Sequence, residues 1–201
     1  MTRPGSGWLL SLVALITACA SAPLHYHTLV PAVDDAKRAA PARPYSVVIE
    51  RVTVPADVDR VEMIVRRTDG QVALLEDQLW LAPLADEVKS ALLVEIQRRL
   101  ASSSPPAQER VLSQISIGID IQRFESAPGR YARIEATWAL RAKTKPAEVV
   151  LTCSTAASER VGSGYVALVQ GHQRAVEQIG DQIAGALQDL AANRTPACPL
   201  A

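Results

Sequence analysis

The chain has 201 residues, with 21 basic and 21 acidic side chains and a formal net charge of zero. That balance, without any run of like charges, excludes the basic footprint of a nucleic-acid binder, and the length suits one domain with a proper core. Aromatic residues are scarce and Phe124 is the only phenylalanine, so Val, Ile, Leu and Ala must build that core.

Arg3 opens a short apolar run, Trp8 to Ile16, which Thr17 and Ala18 separate from Cys19. A basic head, an apolar core and small residues before a cleavage point form the layout of an export signal, too short to remain as a membrane-spanning helix. With a cysteine at the cleavage point it resembles a bacterial lipobox, in which the thiol receives a diacylglyceryl group and becomes the new N-terminus. Ala20 follows in place of Asp, which by resemblance to the lipoprotein sorting rule implies the outer membrane, on its periplasmic face. Two or three acyl chains anchor stably where one does not. Residues 1–18 are therefore read as signal peptide, 19–44 as lipidated cysteine and extended tether, and 45–201 as a single periplasmic domain. Arg3 is the sole charge in the first segment, so the remainder carries 20 basic and 21 acidic side chains. A flexible linker of about 25 residues has a typical span of roughly 25 to 30 Å.

Within the tether, His25-Tyr26-His27-Thr28-Leu29-Val30 has strand character and could join a sheet edge. Tyr45 to Val54 is rich in β-branched residues and stops at Pro55. Val61–Arg67 and Gln71–Glu76 flank Asp69-Gly70, a dipeptide that favours a two-residue hairpin turn with positive φ at both positions. The period then changes: Leu81, Leu84, Val88, Ala91, Leu92, Ile96 and Leu100 make one helical stripe, with Pro83 in the first turn where its missing N–H costs nothing. The Ser/Pro stretch at 102–106 ends it.

Ile115, Ile117, Ile119 and Ile121 alternate with Ser116, Gly118 and Asp120, the pattern of a half-buried strand. Ala127-Pro128-Gly129 turns the chain into a second alternating run through Ile134, Ala136, Trp138 and Leu140, and Val149, Leu151 and Cys153 mark a third. After Gly162-Ser163-Gly164, the stripe Val169, His172, Val176, Ile179, Ile183, Ala186 and Leu190 predicts a helix from about Tyr165 to Leu190. The order is strands, helix, strands, helix. The expected fold is α+β, a largely antiparallel sheet with two amphipathic helices packed on one face.

Residue types that carry chemistry are sparse. His25 and His27 sit one residue apart without a third ligand nearby, and His172 lies on the apolar seam of the last helix, where a hydrogen-bonded structural role fits best. No zinc, phosphate-loop, nucleophile-elbow or cofactor motif occurs, so no metal and no cofactor are expected, and no enzyme signal remains. Asp57, Asp59 and Arg60 form the densest charged loop. They lack the further oxygen ligands of a calcium loop and read either as a structural Asp–Arg pair or as a partner-contact surface. Cys153 and Cys198 either bridge, closing a long loop, or stay apart as a buried apolar cysteine and an exposed tail thiol. Bridging requires the tail after Leu190 to double back. Asn193-Arg194-Thr195 matches a glycosylation sequon, which means little in a bacterial chain.

Taken in order, several motifs resemble one family. Tyr26-His27-Thr28-Leu29-Val30-Pro31 resembles its Tyr-Tyr-x-Leu-x-Pro opening. Val52-Thr53-Val54-Pro55 through Asp59-Arg60, followed by Ile64-Val65-Arg66, resembles its Pro-x-x-x-Asp-Arg-Pro-x-Ile-Val-x-Arg core, with Val61 in place of the usual proline. Trp80 before the first helix, Phe124, Trp138 and the helix from Tyr165 to Leu187 resemble its later landmarks. The family is the ABC-type transport auxiliary lipoproteins, including the paraquat-inducible protein C type. The resemblance implies an outer-membrane lipoprotein that partners an MCE-domain periplasmic protein of an ABC-type transporter in lipid traffic, as a homo-oligomer and without catalytic residues. A lipid-binding carrier with an internal apolar cavity is the competing expectation.

Overall fold

The computed structural model describes residues 23–32, 46–102, 114–143 and 148–198. Cys19 and the signal segment lie outside these residues, as does most of the expected tether. The elements in chain order are β1 (His25–His27), β2 (Ser46–Thr53), β3 (Glu62–Arg66), β4 (Val72–Trp80), α1 (Leu84–Ser102), β5 (Gln114–Ala127), β6 (Tyr131–Lys143), β7 (Glu148–Arg160) and α2 (Tyr165–Ala191). The fold is α+β with the expected alternation of strands and helices.

The strands divide into two mixed sheets, ordered β1-β4-β3 and β2-β5-β6-β7. Each contains one parallel pair, β1 with β4 and β2 with β5, while the remaining pairs are antiparallel. The larger sheet follows from strict alternation. Ile115, Ile117, Ile119 and Ile121 of β5 point inward beside Ala132, Ile134, Ala136, Trp138, Leu140 and Ala142 of β6. That inner face packs against the helices: α2 lies on β6 and β7, and α1 lies beside β2 and against α2. Every residue of the expected α2 stripe, from Val169 to Leu190, is buried.

The hairpin between β3 and β4 differs from expectation. Arg67 and Gln71 close the loop, the Arg67 N–H donating to the Gln71 carbonyl at 2.8 Å, so three residues intervene. Gly70 alone takes positive φ, at 81°, and the Asp69 carboxylate accepts from the Gln71 N–H at 3.1 Å. Asp69 therefore stays in the ordinary region while glycine absorbs the left-handed step, as in three-residue hairpin loops. Leu81 also departs from its expected place. It precedes α1 and is 67% exposed, whereas Leu84 to Leu100 form the buried stripe.

Cys153 of β7 is bridged to Cys198, with Cα atoms 5.4 Å apart. The reversal this needs comes from the end of α2. Asn193 adopts φ 58°, its N–H donates to the Leu190 carbonyl, and the Arg194 N–H donates to the Asp189 carbonyl at 2.8 Å. This is a Schellman stop, with asparagine in the left-handed position more often held by glycine. The Arg194 guanidinium also pairs with the Asp189 carboxylate at 2.6 Å.

Candidate functional site

The start of α1 is where the described N-terminal segment meets the body. Pro83, immediately before the helix, has no side-chain oxygen with which to satisfy the free N–H groups of the first turn. Asp59 supplies one from another loop, its carboxylate accepting from the Ala85 N–H at 3.2 Å. Glu87 in the same first turn is buried, and accepts from the Thr28 hydroxyl at 2.8 Å and the Leu29 N–H at 2.7 Å. A negative charge at this end of a helix is also favoured by the helix dipole. Leu29 is fully buried in the core. From the other helix, the Gln173 side-chain amide donates to the Thr28 carbonyl at 3.0 Å.

Residues 25–29 are thereby clamped by a strand, two helices and a core side chain. β1 pairs with β4, His27 opposite Trp80 with its Nε2 2.9 Å from the Gln78 side-chain oxygen, and the Leu81 N–H extends the ladder by donating to the His27 carbonyl at 2.8 Å. The strand-like stretch expected within the tether is a sheet edge of the folded body.

The charged loop is split between roles. Asp59 caps α1, whereas Arg60 pairs with Glu62 at 3.2 Å and not with either aspartate. An acidic side chain near an unsatisfied helix end is well placed on its N–H groups. Asp57 is exposed and borders an open cleft of about 310 Å³ beside Arg66, Phe124, Glu125 and Ser126. Along this cleft Glu125 accepts from Arg66 at 3.0 Å, from Arg123 at 3.2 Å and from the Tyr131 hydroxyl at 3.1 Å. Partial burial pushes the Glu125 carboxyl up, but the Tyr131 hydroxyl and the two guanidinium groups outweigh it and hold the group below its ordinary range.

Beneath the cleft lies a cluster that sequence reasoning caught only in part. The Phe124 ring stacks on His172 with centroids 4.1 Å apart, and Trp80 meets both rings edge-on at 6.1 and 6.3 Å. His172 Nε2 is 2.8 Å from the Ser126 hydroxyl. The ring is wholly enclosed, and burial lowers its pKa to about 3, so it is neutral at physiological pH. Among the described residues its Nδ1 has no hydrogen-bond partner. A serine–histidine contact without a group to orient the imidazole lacks the third member of a nucleophilic relay, and the pair serves to satisfy a buried polar ring. Trp138 lies apart, its indole N–H donating to the Thr155 hydroxyl at 3.0 Å, which in turn donates to Gln182 at 2.5 Å.

Among the described residues no three His, Cys, Asp or Glu side chains are grouped so as to hold a metal ion, and no helix is long and apolar enough to cross a membrane. The residues that escaped sequence reasoning are Glu87, Gln173 and Ser126, whose types carry no signal alone. Asn193 could have been found as the asparagine that ends an apolar helical stripe.

Comparison with known proteins places this geometry. The family described as ABC-type transport auxiliary lipoprotein component matches residues 27–184, from the clamped N-terminal segment to the last turns of α2. The chain belongs to this family. Its members are lipoproteins that accompany ABC-type transporters, and nothing in the described residues of this one adds a catalytic constellation. Among solved structures, one uncharacterised protein is 16% identical, with a TM-score of 0.61, covering 81% of this chain and 97% of its own. A protein from Xanthomonas campestris is 17% identical, with a TM-score of 0.49, covering 70% of this chain and 81% of its own. No curated protein matches the chain significantly. The first of these likenesses concerns the fold alone.

Proposed function

We propose that this chain is an outer-membrane lipoprotein, acylated at Cys19 and facing the periplasm, that acts as the non-catalytic docking component of an intermembrane lipid transport system. Its partner in this reading is the MCE-domain periplasmic protein of an ABC-type transporter, and it works as a homo-oligomer. The observation that carries the reading is the family match over most of the chain. The lipobox-like residues before Cys19 support the anchor, and Ala20 supports the outer membrane as its destination. The filled interior favours docking over a carrier role. Trp138, Ile115, Ile117, Ile134 and Leu140 occupy the space between sheet and helices at no more than trace exposure, where a carrier needs a hollow. Asp57 and Arg60, exposed on the loop whose Asp59 is committed to α1, are the members of that loop available to a partner.

Two experiments test the proposal. Cys19→Ser should abolish recovery in outer-membrane fractions while the domain stays folded by circular dichroism. Continued outer-membrane recovery of that variant defeats the anchor. Affinity purification of the wild-type protein after crosslinking should retain an MCE-domain protein. Retention that fails under every crosslinking chemistry, with the protein correctly anchored, defeats the docking role.

A further inference from the structure

Beside the clamp, one face of the smaller sheet carries apolar side chains outward. Leu24 is 53% exposed, Tyr26 60% and Leu81 67%. Register puts them together. Tyr26 pairs with Leu79 in the parallel β1–β4 ladder, and residues two apart on a strand share a face. Leu24, Tyr26, Leu79 and Leu81 therefore lie on one side. His27, Gln78 and Trp80 lie on the other, where Gln78 and Trp80 are buried. Apolar side chains gathered on an outer face mark a contact surface more often than scattered ones do.

The position of this patch in the chain says what meets it. Cys19 precedes Pro23, the first described residue, by four peptide units, which can span at most about 14 Å. Leu24 and Tyr26 follow at once, and residues 25–29 are held to the body by Glu87, Gln173 and the β4 ladder. An anchor at Cys19 thus leaves the patch little room to stand away from the bilayer, in contrast to the longer reach of a free 25-residue linker. The chemistry also fits. Leucines beside a tyrosine, with an apolar ring and a polar tip, suit the boundary between headgroups and acyl chains.

We propose that the outward face of Leu24, Tyr26, Leu79 and Leu81 rests against the headgroup–acyl boundary of the leaflet that holds the anchor, and so sets which way the body faces. The proposal deepens the reading above and rests on acylation of Cys19. The body is then fixed in orientation, with the three-stranded sheet toward the lipid.

The test uses the full acylated chain in vesicles of phosphatidylethanolamine and phosphatidylglycerol, with the Cys153–Cys198 bridge intact. Leu81→Cys and Val166→Cys are each labelled with an environment-sensitive fluorophore, Val166 being a 64% exposed residue at the start of α2. The expected result is a blue shift and a rise in emission at position 81 on vesicle binding, with neither at position 166. Tyr26→Cys provides a second probe of the same face should Leu81→Cys fail to fold. Protein that floats with the vesicles while the probes at 81 and 26 stay water-exposed overturns the patch and leaves the anchor standing. Protein that does not float overturns the anchor and the patch with it. Emission changes that arise without vesicles, as protein concentration is raised, assign the face to a second copy and overturn the proposal.

Discussion

The backbone N–H of Leu29 donates to the carboxylate of Glu87 at 2.7 Å, joining the N-terminal segment to the first turn of a helix far along the chain. The same carboxylate takes the Thr28 hydroxyl. Replacing it leaves a buried backbone donor unpaired, and hydrogen bonds to charged groups contribute about 1.5 to 3 kcal/mol. Glu87→Ala should lower unfolding free energy by about 2 kcal/mol and speed hydrogen exchange at the Leu29 amide more than at Ile117. Denaturant titration and exchange mass spectrometry would show both. Unchanged exchange at Leu29 would mean that β1 and the buried Leu29 side chain suffice to hold the segment.

His172 predicts a pH dependence. An imidazole in the unfolded chain titrates near 6.5, whereas burial lowers the folded value to about 3. Between those values the unfolded chain binds a proton that the folded one does not, so stability falls as pH is lowered from 6.5 toward 3. The slope from this one group is about 1.4 kcal/mol per pH unit once below 6.5. Above 6.5 it contributes none. His172→Phe removes the titration and should flatten that part of the profile, whatever its effect at neutral pH. Parallel profiles for the two proteins in chemical denaturation between pH 4 and 7 would refute it.

The bridge between Cys153 and Cys198 spans 45 residues of sequence. A loop of that length implies about 4 kcal/mol in the chain-entropy estimate. Cys198→Ser should therefore lose about 4 kcal/mol and become insensitive to reductant, while the wild type should fall to a similar stability when reduced.

The two helices meet where Gly180 has no side chain. A Cβ built there would lie 2.8 Å from the Glu95 Cβ, closer than real carbon atoms approach. Gly180→Leu should push α1 and α2 apart at a cost of about 2 kcal/mol, visible as a lowered Tm. Gly185→Ala, where a Cβ would meet nothing within 4 Å, is the control and should hold or raise Tm through better helix propensity.

Asp59 and Arg60 separate cleanly. Asp59→Asn keeps an acceptor for the Ala85 N–H, whereas Asp59→Ala removes the cap and should cost about 1 kcal/mol. Arg60→Ala breaks only an exposed pair with Glu62 and should change stability by less than about 0.5 kcal/mol. Thermal melts of the three variants decide it.

The strands and helices were legible where each residue's fate depends on its near neighbours. The alternating isoleucines of β5, the stripe of α2 and the turn at Pro128-Gly129 are local patterns, and the structure follows them. The partition into two sheets was not legible, because the pairing of β1 with β4 and of β2 with β5 joins segments far apart, and period alone cannot choose between edges. Asp59 was legible as part of a charged loop, but its capping of α1 was not, for a related reason. A cap is normally sought at the residue before the helix, and here that residue is Pro83. His172 was legible as a buried, hydrogen-bonded ring, but its partner Ser126 and its stacking on Phe124 depend on α2 crossing the end of β5. Of the candidate site, the motif residues were visible while their mutual contacts were not. The three-residue hairpin loop and the exposed Leu81 show the same limit at single positions.

The pairing of Ile49 with Ile117 has a consequence for how the chain matures. Among the described residues β2 is an outer strand paired only with β5, so a chain that emerges amino end first holds it without a template while β3, β4 and α1 follow. The meander of β5, β6 and β7 can close through short connections and offers the surface on which the earlier strand later settles. Long-range pairing of this kind slows folding, and an unpaired β-branched strand invites association with other chains in the interval. A holding chaperone should therefore act on the first half of the chain and lose its grip once β5 has formed.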